Sequence, residues 1–176
     1  MDQYKDIADR LEKLESEMQI HKLKAKYAGL CDIGYPAEDL AAQFTDDGVF
    51  DGGERFGVHT GRDELVSYFT AISGDIIWAL HYMIGPAITV DDSLTSARGT
   101  WYLWEPCTLA IDGQQVPAWI SGKYSDQYRR VDGRWLFSHV ELTCQTVTDT
   151  RNNWVENRFL TRGSQRTGVN RGSRDR

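Results

Sequence analysis

The chain has 176 residues, 40% of them hydrophobic and 26% charged, and its 26 Asp and Glu outweigh 20 Lys and Arg to give a formal net charge of -6. That length suits one domain with a real core, and the acidic balance excludes a phosphate-binding surface over most of the molecule, which would need clustered Lys and Arg. The three cysteines, Cys31, Cys107 and Cys144, lack metal-ligand spacing and read as free thiols of a reducing compartment.

Asp2, Lys5, Asp6 and Asp9 stand where a signal peptide would need an apolar stretch, and the longest uncharged run, Ile76 to Val90, is too short to span a bilayer. A cytoplasmic protein without membrane contact is expected. Ile7, Leu11, Leu14 and Met18 recur at helical spacing with charges between them, an amphipathic helix whose narrow seam needs a partner. From Ile20 the periodic positions become Ile20, Leu23, Tyr27 and Leu30, so the apolar face rotates. The pattern predicts two consecutive helices or one bent one, ending near Gly34, Tyr35 and Pro36.

Pro36 suits a new helix start, with Leu40 and Phe44 on its buried side until Thr45-Asp46-Asp47-Gly48 breaks it and a short strand, Val49 to Asp51, follows. A further helix is predicted over Arg62 to Ser73, where Leu65, Phe69 and Ile72 share one face. Beyond Gly74, Ile77 to Ile84, Ala87 to Val90, Ala97 to Leu109 and Trp119 to Val131 are β-rich runs bounded by turn residues. Asp132-Gly133 separates Tyr124–Val131 from Arg134–Thr143 and favours the tight turn of a hairpin. Three helices followed by an antiparallel meander make an α+β domain. We assign residues 1–160 to that domain and 161–176 to a disordered Arg-, Gly- and Ser-rich tail, since the region beyond Phe159 has few apolar residues to bury. Its five arginines against one aspartate suit a solvated terminus, or contact with RNA or an acidic neighbour.

Few residues could carry chemistry. Asp32 lies within Tyr-Ala-Gly-Leu-Cys-Asp-Ile-Gly-Tyr, whose neighbours offer it little water; a carboxylate so placed serves as a general base or as the partner of one. An aspartate near Gly34 is also an ordinary turn residue. His81 stands in Trp78-Ala79-Leu80-His81-Tyr82-Met83-Ile84, where strand alternation sets Ala79, His81 and Met83 on one face. It can exchange protons near neutral pH, or simply be a core histidine satisfied by a backbone carbonyl. Tyr27 is a core ring or a pocket donor. Trp101, Leu103 and Glu105 alternate along one strand, and Tyr124, Asp126 and Tyr128 along another, so their inward face lines a cavity or packs on the helices. His21, His59 and His139 have no metal-ligand geometry, and HExxH and glycine-rich phosphate loops are absent from the sequence. No metal and no nucleotide are expected.

Several motifs together resemble one family. They are Lys26-Tyr27 followed by Asp32, His81 ahead of Pro86-Ala87-Ile88-Thr89, Arg98-Gly99-Thr100-Trp101-Tyr102-Leu103, and Gly122, Tyr124, Asp126 and Tyr128 with Asp132-Gly133-Arg134-Trp135. In this order they resemble the SnoaL-like group of the nuclear-transport-factor-2-like superfamily, most of all the bile-acid 7α-dehydratases and related hydroxysteroid dehydratases. The resemblance implies a cone-shaped barrel, with three to four N-terminal helices packed on a strongly curved, mainly antiparallel sheet. It also implies a catalytic group at Tyr27, Asp32 and His81, no cofactor, and a further acidic residue at or beside Glu105. One departure stands out. An arginine of the bile-acid enzymes aligns near Cys144, yet no Arg or Lys lies between Trp135 and Thr150, which points to a neutral, flat, multi-ring or terpenoid-like ligand.

The expected activity is that of a cofactor-independent dehydratase, with catalytic Asp32, His81 and Tyr27. Glu105, Trp101, Leu103, Tyr124, Tyr128 and Met83 are expected to bind a small hydrophobic hydroxylated carbonyl compound such as a steroid or polyketide. A steroid-type isomerase or polyketide cyclase would use the same pocket. A non-catalytic role, as a dioxygenase β-like subunit or binding module, is the other class. A homodimer or homotrimer is expected, with no nucleic acid or membrane as partner.

Overall fold

A computed structural model describes residues 2–160, and the Arg-rich segment 161–176 lies outside the described residues. The first helix, α1 (Asp2–Asp32), is a single 31-residue element rather than two. The rotation of its apolar face has a simple cause: only its second half lies on the core. Ile20, Leu23, Tyr27 and Cys31 are buried, whereas Ile7, Leu11, Leu14 and Met18 are each more than half exposed. The first half is tied to the sheet by polar side chains instead, through Lys13 with Asp92 at 2.7 Å and Glu12 with Arg130 at 2.8 Å.

After α1 come α2 (Ala37–Ala41), β1 (Phe44–Asp51), α3 (Gly53–Phe56), β2 (Val58–Thr60), α4 (Gly61–Asp75), β3 (Ile76–Ala79), β4 (Tyr82–Val90), β5 (Ser96–Ile111), β6 (Gln114–Val131), β7 (Arg134–Asp149) and α5 (Asn153–Glu156). Leu65, Phe69 and Ile72 form the buried face of α4, as their spacing predicts. Phe44 departs from expectation by opening β1 instead of closing a helix. It aligns with Phe137 of β7 in the parallel β1–β7 pairing, and that tertiary contact overrides the local helical spacing. At the β6–β7 turn, Asp132 and Gly133 have φ of 49° and 77°, the pair of positive values that a two-residue hairpin demands.

Seven strands form one sheet in the order β2-β1-β7-β6-β5-β3, with β4 also paired to β5, and every pairing except β1–β7 is antiparallel. This is the mixed α+β architecture expected, with helices on the inner face of a curved sheet. The long strands β5 and β6 alternate inward and outward residues along most of their length. On β5 the inward residues include Trp101, Leu103, Glu105, Cys107 and Leu109, and on β6 they include Ile120, Tyr124, Asp126 and Tyr128.

Candidate active site

The end of α1 shapes the site. Gly34 takes φ of 98° and Tyr35 φ of 58°, while the Tyr35 N–H donates to the Leu30 carbonyl at 3.1 Å. This is the left-handed reversal that commonly closes a helix. It leaves the Asp32 carboxylate at the helix end and swings the buried Tyr35 ring inward. A positive φ costs little at Gly34 and more at Tyr35, where a side chain must be held in a strained backbone.

The expected strand through His81 is interrupted. Leu80 and His81 fall between β3 and β4, both of which pair with β5: Ala79 opposes Cys107 and Tyr82 opposes Trp104. Counting across the gap sets His81 opposite Glu105. The Asp32 carboxylate fills the ladder position that the gap leaves open, its Oδ1 accepting the His81 backbone N–H at 2.8 Å and lying 2.8 Å from Nδ1. Because an ionised carboxylate only accepts, Nδ1 is the ring nitrogen that donates to it, and Nε2 is turned inward. Nε2 meets the Tyr35 hydroxyl at 3.2 Å and Glu105 Oε2 at 3.4 Å.

Glu105 is buried, and its second oxygen, Oε1, has no hydrogen-bond partner among the described residues. Burial pushes its carboxyl up to about 7; His81 opposes the shift and the Asp32 charge adds to it. Burial likewise pushes the phenols of Tyr27, Tyr35 and Tyr124 well up, so they stay protonated as donors.

These groups surround an inner chamber of about 30 Å³ lined by Tyr27, Tyr35, His81, Glu105, Tyr124 and hydrophobic neighbours. That is room for a water or one small functional group. An outer cavity of about 480 Å³ adjoins it, and Phe56, Tyr68, Ile72, Ile76 and Ile120 border both spaces. The outer volume is that of a small-molecule site. The arrangement can admit the reacting end of an apolar molecule to a proton acceptor and several donors while excluding bulk water.

Asp32, His81, Tyr27, Glu105 and Tyr124 are thus brought together, although no hydrogen bond joins Tyr27 to Asp32 or His81 among the described residues. Trp101, Leu103, Tyr128 and Met83 correct the sequence reading, because they line neither the chamber nor the outer cavity. Alternation gives the correct inward face for Trp101, Leu103 and Tyr128, but strands of 16 and 18 residues are long enough that inward residues along them face different neighbours. Trp101 and Tyr128 belong to a second buried polar group: Trp101 Nε1 donates to the Tyr128 hydroxyl at 3.1 Å, which donates to Asp126 Oδ2 at 2.8 Å. The fully buried Lys24 ammonium lies 2.9 Å from Asp126 and 3.5 Å from the Tyr124 ring centre. Met83 lies beyond the strand gap, partly buried against the core. The sequence reading missed Tyr35, Phe56, Tyr68 and Ile72; the Gly34-Tyr35-Pro36 signal marked the turn but not the direction of the ring. Among the described residues, no group of three or more His, Cys, Asp and Glu side chains is placed to hold a metal ion, and no helix is long and apolar enough to cross a membrane.

Residues 12–141 match the profile of the SnoaL-like domain. The chain belongs to the SnoaL-like family. No curated protein matches it. Among solved structures, this SnoaL-like chain is similar to a candidate scytalone dehydratase of Novosphingobium aromaticivorans, with 25% identity, a TM-score of 0.68, and coverage of 77% of this chain and 88% of that one. A hexachlorocyclohexane dehydrochlorinase of Novosphingobium barchaimii shares the fold at 20% identity and a TM-score of 0.71, over 81% of this chain and 94% of the other. A Mycobacterium tuberculosis protein of unknown function is 25% identical, with a TM-score of 0.61, over 76% and 79% of the two chains.

Proposed function

We propose that this SnoaL-like protein is a cofactor-independent lyase that removes water from a hydroxylated carbonyl compound. The observation that carries the reading is the Asp32–His81 pair, in which Asp32 holds Nδ1 and Nε2 is turned toward a small chamber of phenolic and apolar side chains; in the neutral imidazole that nitrogen is the proton acceptor. Nε2 takes a proton from the carbon beside the carbonyl, and the electron pair moves toward the carbonyl oxygen, where the Tyr27 hydroxyl donates. Asp32 steadies the imidazolium that forms. The adjacent C–O bond then breaks, and the departing hydroxyl takes the proton of Glu105 and leaves as water. The imidazolium returns its proton to the Glu105 carboxylate, 3.4 Å away, and the site is reset.

The likeness to a candidate scytalone dehydratase supports the reaction class. The dehydrochlorinase, at 20% identity, adds support for the fold alone. A steroid or polyketide skeleton fits the volume and apolar walls of the outer cavity, and the narrower likeness to bile-acid dehydratases rests on the sequence motifs. Isomerisation would use the same first step, with the proton returned to a different carbon.

The test is incubation of the purified protein with β-hydroxy ketones and hydroxylated enones, followed by mass spectrometry. Loss of one water marks elimination, and an unchanged mass with a shifted double bond marks isomerisation. On a confirmed substrate, Asp32→Asn and His81→Gln should each lower kcat by about a hundredfold or more, and Tyr35→Phe should lower it less. Full turnover by His81→Gln would refute the assignment.

A further inference from the structure

We infer that Tyr35 is a further catalytic residue, whose hydroxyl caps the His81 base in the empty site and passes to the departing oxygen of the substrate once the base is protonated. The cap stands on geometry alone, and the hand-over rests on the lyase reading. One helix terminus grips both nitrogens of the imidazole. Asp32, the last residue of α1, holds Nδ1 at 2.8 Å. Just beyond it, the Tyr35 hydroxyl stands 3.2 Å from Nε2, and its ring is set edge-on to the imidazole. In the neutral imidazole that donates from Nδ1, Nε2 accepts, and the hydroxyl of Tyr35 is the donor to it.

The cap constrains how a substrate enters. A proton taken from carbon must reach Nε2 along its one lone pair, which the Tyr35 hydroxyl already occupies. With Tyr35 in place the chamber measures about 30 Å³, room for one small group. Elimination needs more there: the carbonyl, the carbon that loses its proton and the carbon that bears the hydroxyl must all come within reach of the donors and the acceptor. Substrate entry therefore displaces the Tyr35 hydroxyl from Nε2. Tyr35 is buried, so the displaced hydroxyl needs a new partner inside the chamber. A phenol both donates and accepts. After His81 takes the proton, Nε2–H donates to the Tyr35 oxygen, and the Tyr35 O–H turns to the oxygen whose bond to carbon is breaking. Tyr35 keeps its own proton throughout, and Glu105 remains the source of the proton that leaves with water. This hydrogen bond forms only after proton abstraction, so it favours the transition state over the bound substrate.

Nitrogen-15 NMR of histidine-labelled protein at pH 7 tests the cap without any ligand, with the His81 signals assigned by their loss in His81→Gln. In Tyr35→Phe, which keeps the ring and removes the hydroxyl, the Nε2 resonance should move toward that of an acceptor without a donor, while Nδ1 stays protonated. An unmoved Nε2 resonance, or a wild-type Nε2 that carries the proton, would overturn the cap. Kinetics test the hand-over, on a β-hydroxy ketone that the wild-type protein dehydrates. Tyr35→Phe should lower kcat about tenfold, the worth of one hydrogen bond, and should lower KM as well, because binding no longer breaks the contact with Nε2. Lost packing alone would raise KM, and a raised KM with unchanged kcat would overturn the hand-over. If no ketone loses water while the Nε2 resonance moves as expected, the lyase reading and the hand-over fall together and the cap stands.

Discussion

Replacing Glu105 by glutamine should change the stability of the protein in a manner that depends on pH. The carboxyl titrates at 4.5 as a free group and is pushed up to about 7 in the fold, chiefly by burial. Between those values the unfolded chain releases the proton while the folded chain keeps it, so stability falls as pH rises and the loss is complete above the folded value. The difference corresponds to about 3 kcal/mol. Glutamine has nearly the same shape and never ionises. At or below pH 4.5 the variant should therefore differ from the parent only by a constant set by its amide hydrogen bonds. By pH 8 it should have gained about 3 kcal/mol on the parent relative to that constant. Urea unfolding of both proteins at several pH values between 4.5 and 8 measures the gap directly. Parallel curves, with the same gap at both ends of the range, would show that Glu105 does not hold its proton in the fold and would remove it from the proton cycle proposed above.

Two other predictions concern parts of the molecule remote from the chamber. Lys24→Met strands the Asp126 charge in the core and should cost about 3–5 kcal/mol in chemical denaturation. Replacing both partners, as Lys24→Met with Asp126→Leu, should recover most of that loss, and a double variant no better than the single one would show that the loss does not come from a stranded charge. For the exposed seam of α1 we propose a second copy of the chain as its cover. Leu14→Lys combined with Met18→Lys should then lower the mass measured by size-exclusion chromatography with light scattering from that of an oligomer to that of a monomer, and a monomeric parent protein would refute the idea.

The sequence made the secondary structure legible wherever one element has one environment along its length. Helix α4, with Leu65, Phe69 and Ile72 on a single face, and the hairpin at Asp132-Gly133 are such cases. It was less informative where the environment changes within an element. The pattern of helix α1 left two helices or one bent one open because its neighbours change near Ile20, and Phe44 was read as helical because its strand partner, Phe137, is distant in sequence. Asp32 and His81 could each be singled out as isolated polar residues, but their pairing depends on the break between Ala79 and Tyr82, which local pattern does not reveal. Tyr35 escaped for a related reason. A tyrosine after a helix looks like a surface residue until the reversal at Gly34 turns its ring inward.

The inner chamber and the outer cavity share several wall residues, but the proton-handling groups stand on other lengths of chain. They come from the middle and end of α1, the residues that follow it, the gap before β4, and β5. Much of the wall that would meet the body of a substrate comes from α3, α4 and Leu160. A lineage carrying this domain can therefore change what it accepts by altering a four-residue helix or the chain around Leu160, without moving a proton donor or acceptor. The same partition tells an engineer where to begin when redirecting the protein to a new molecule.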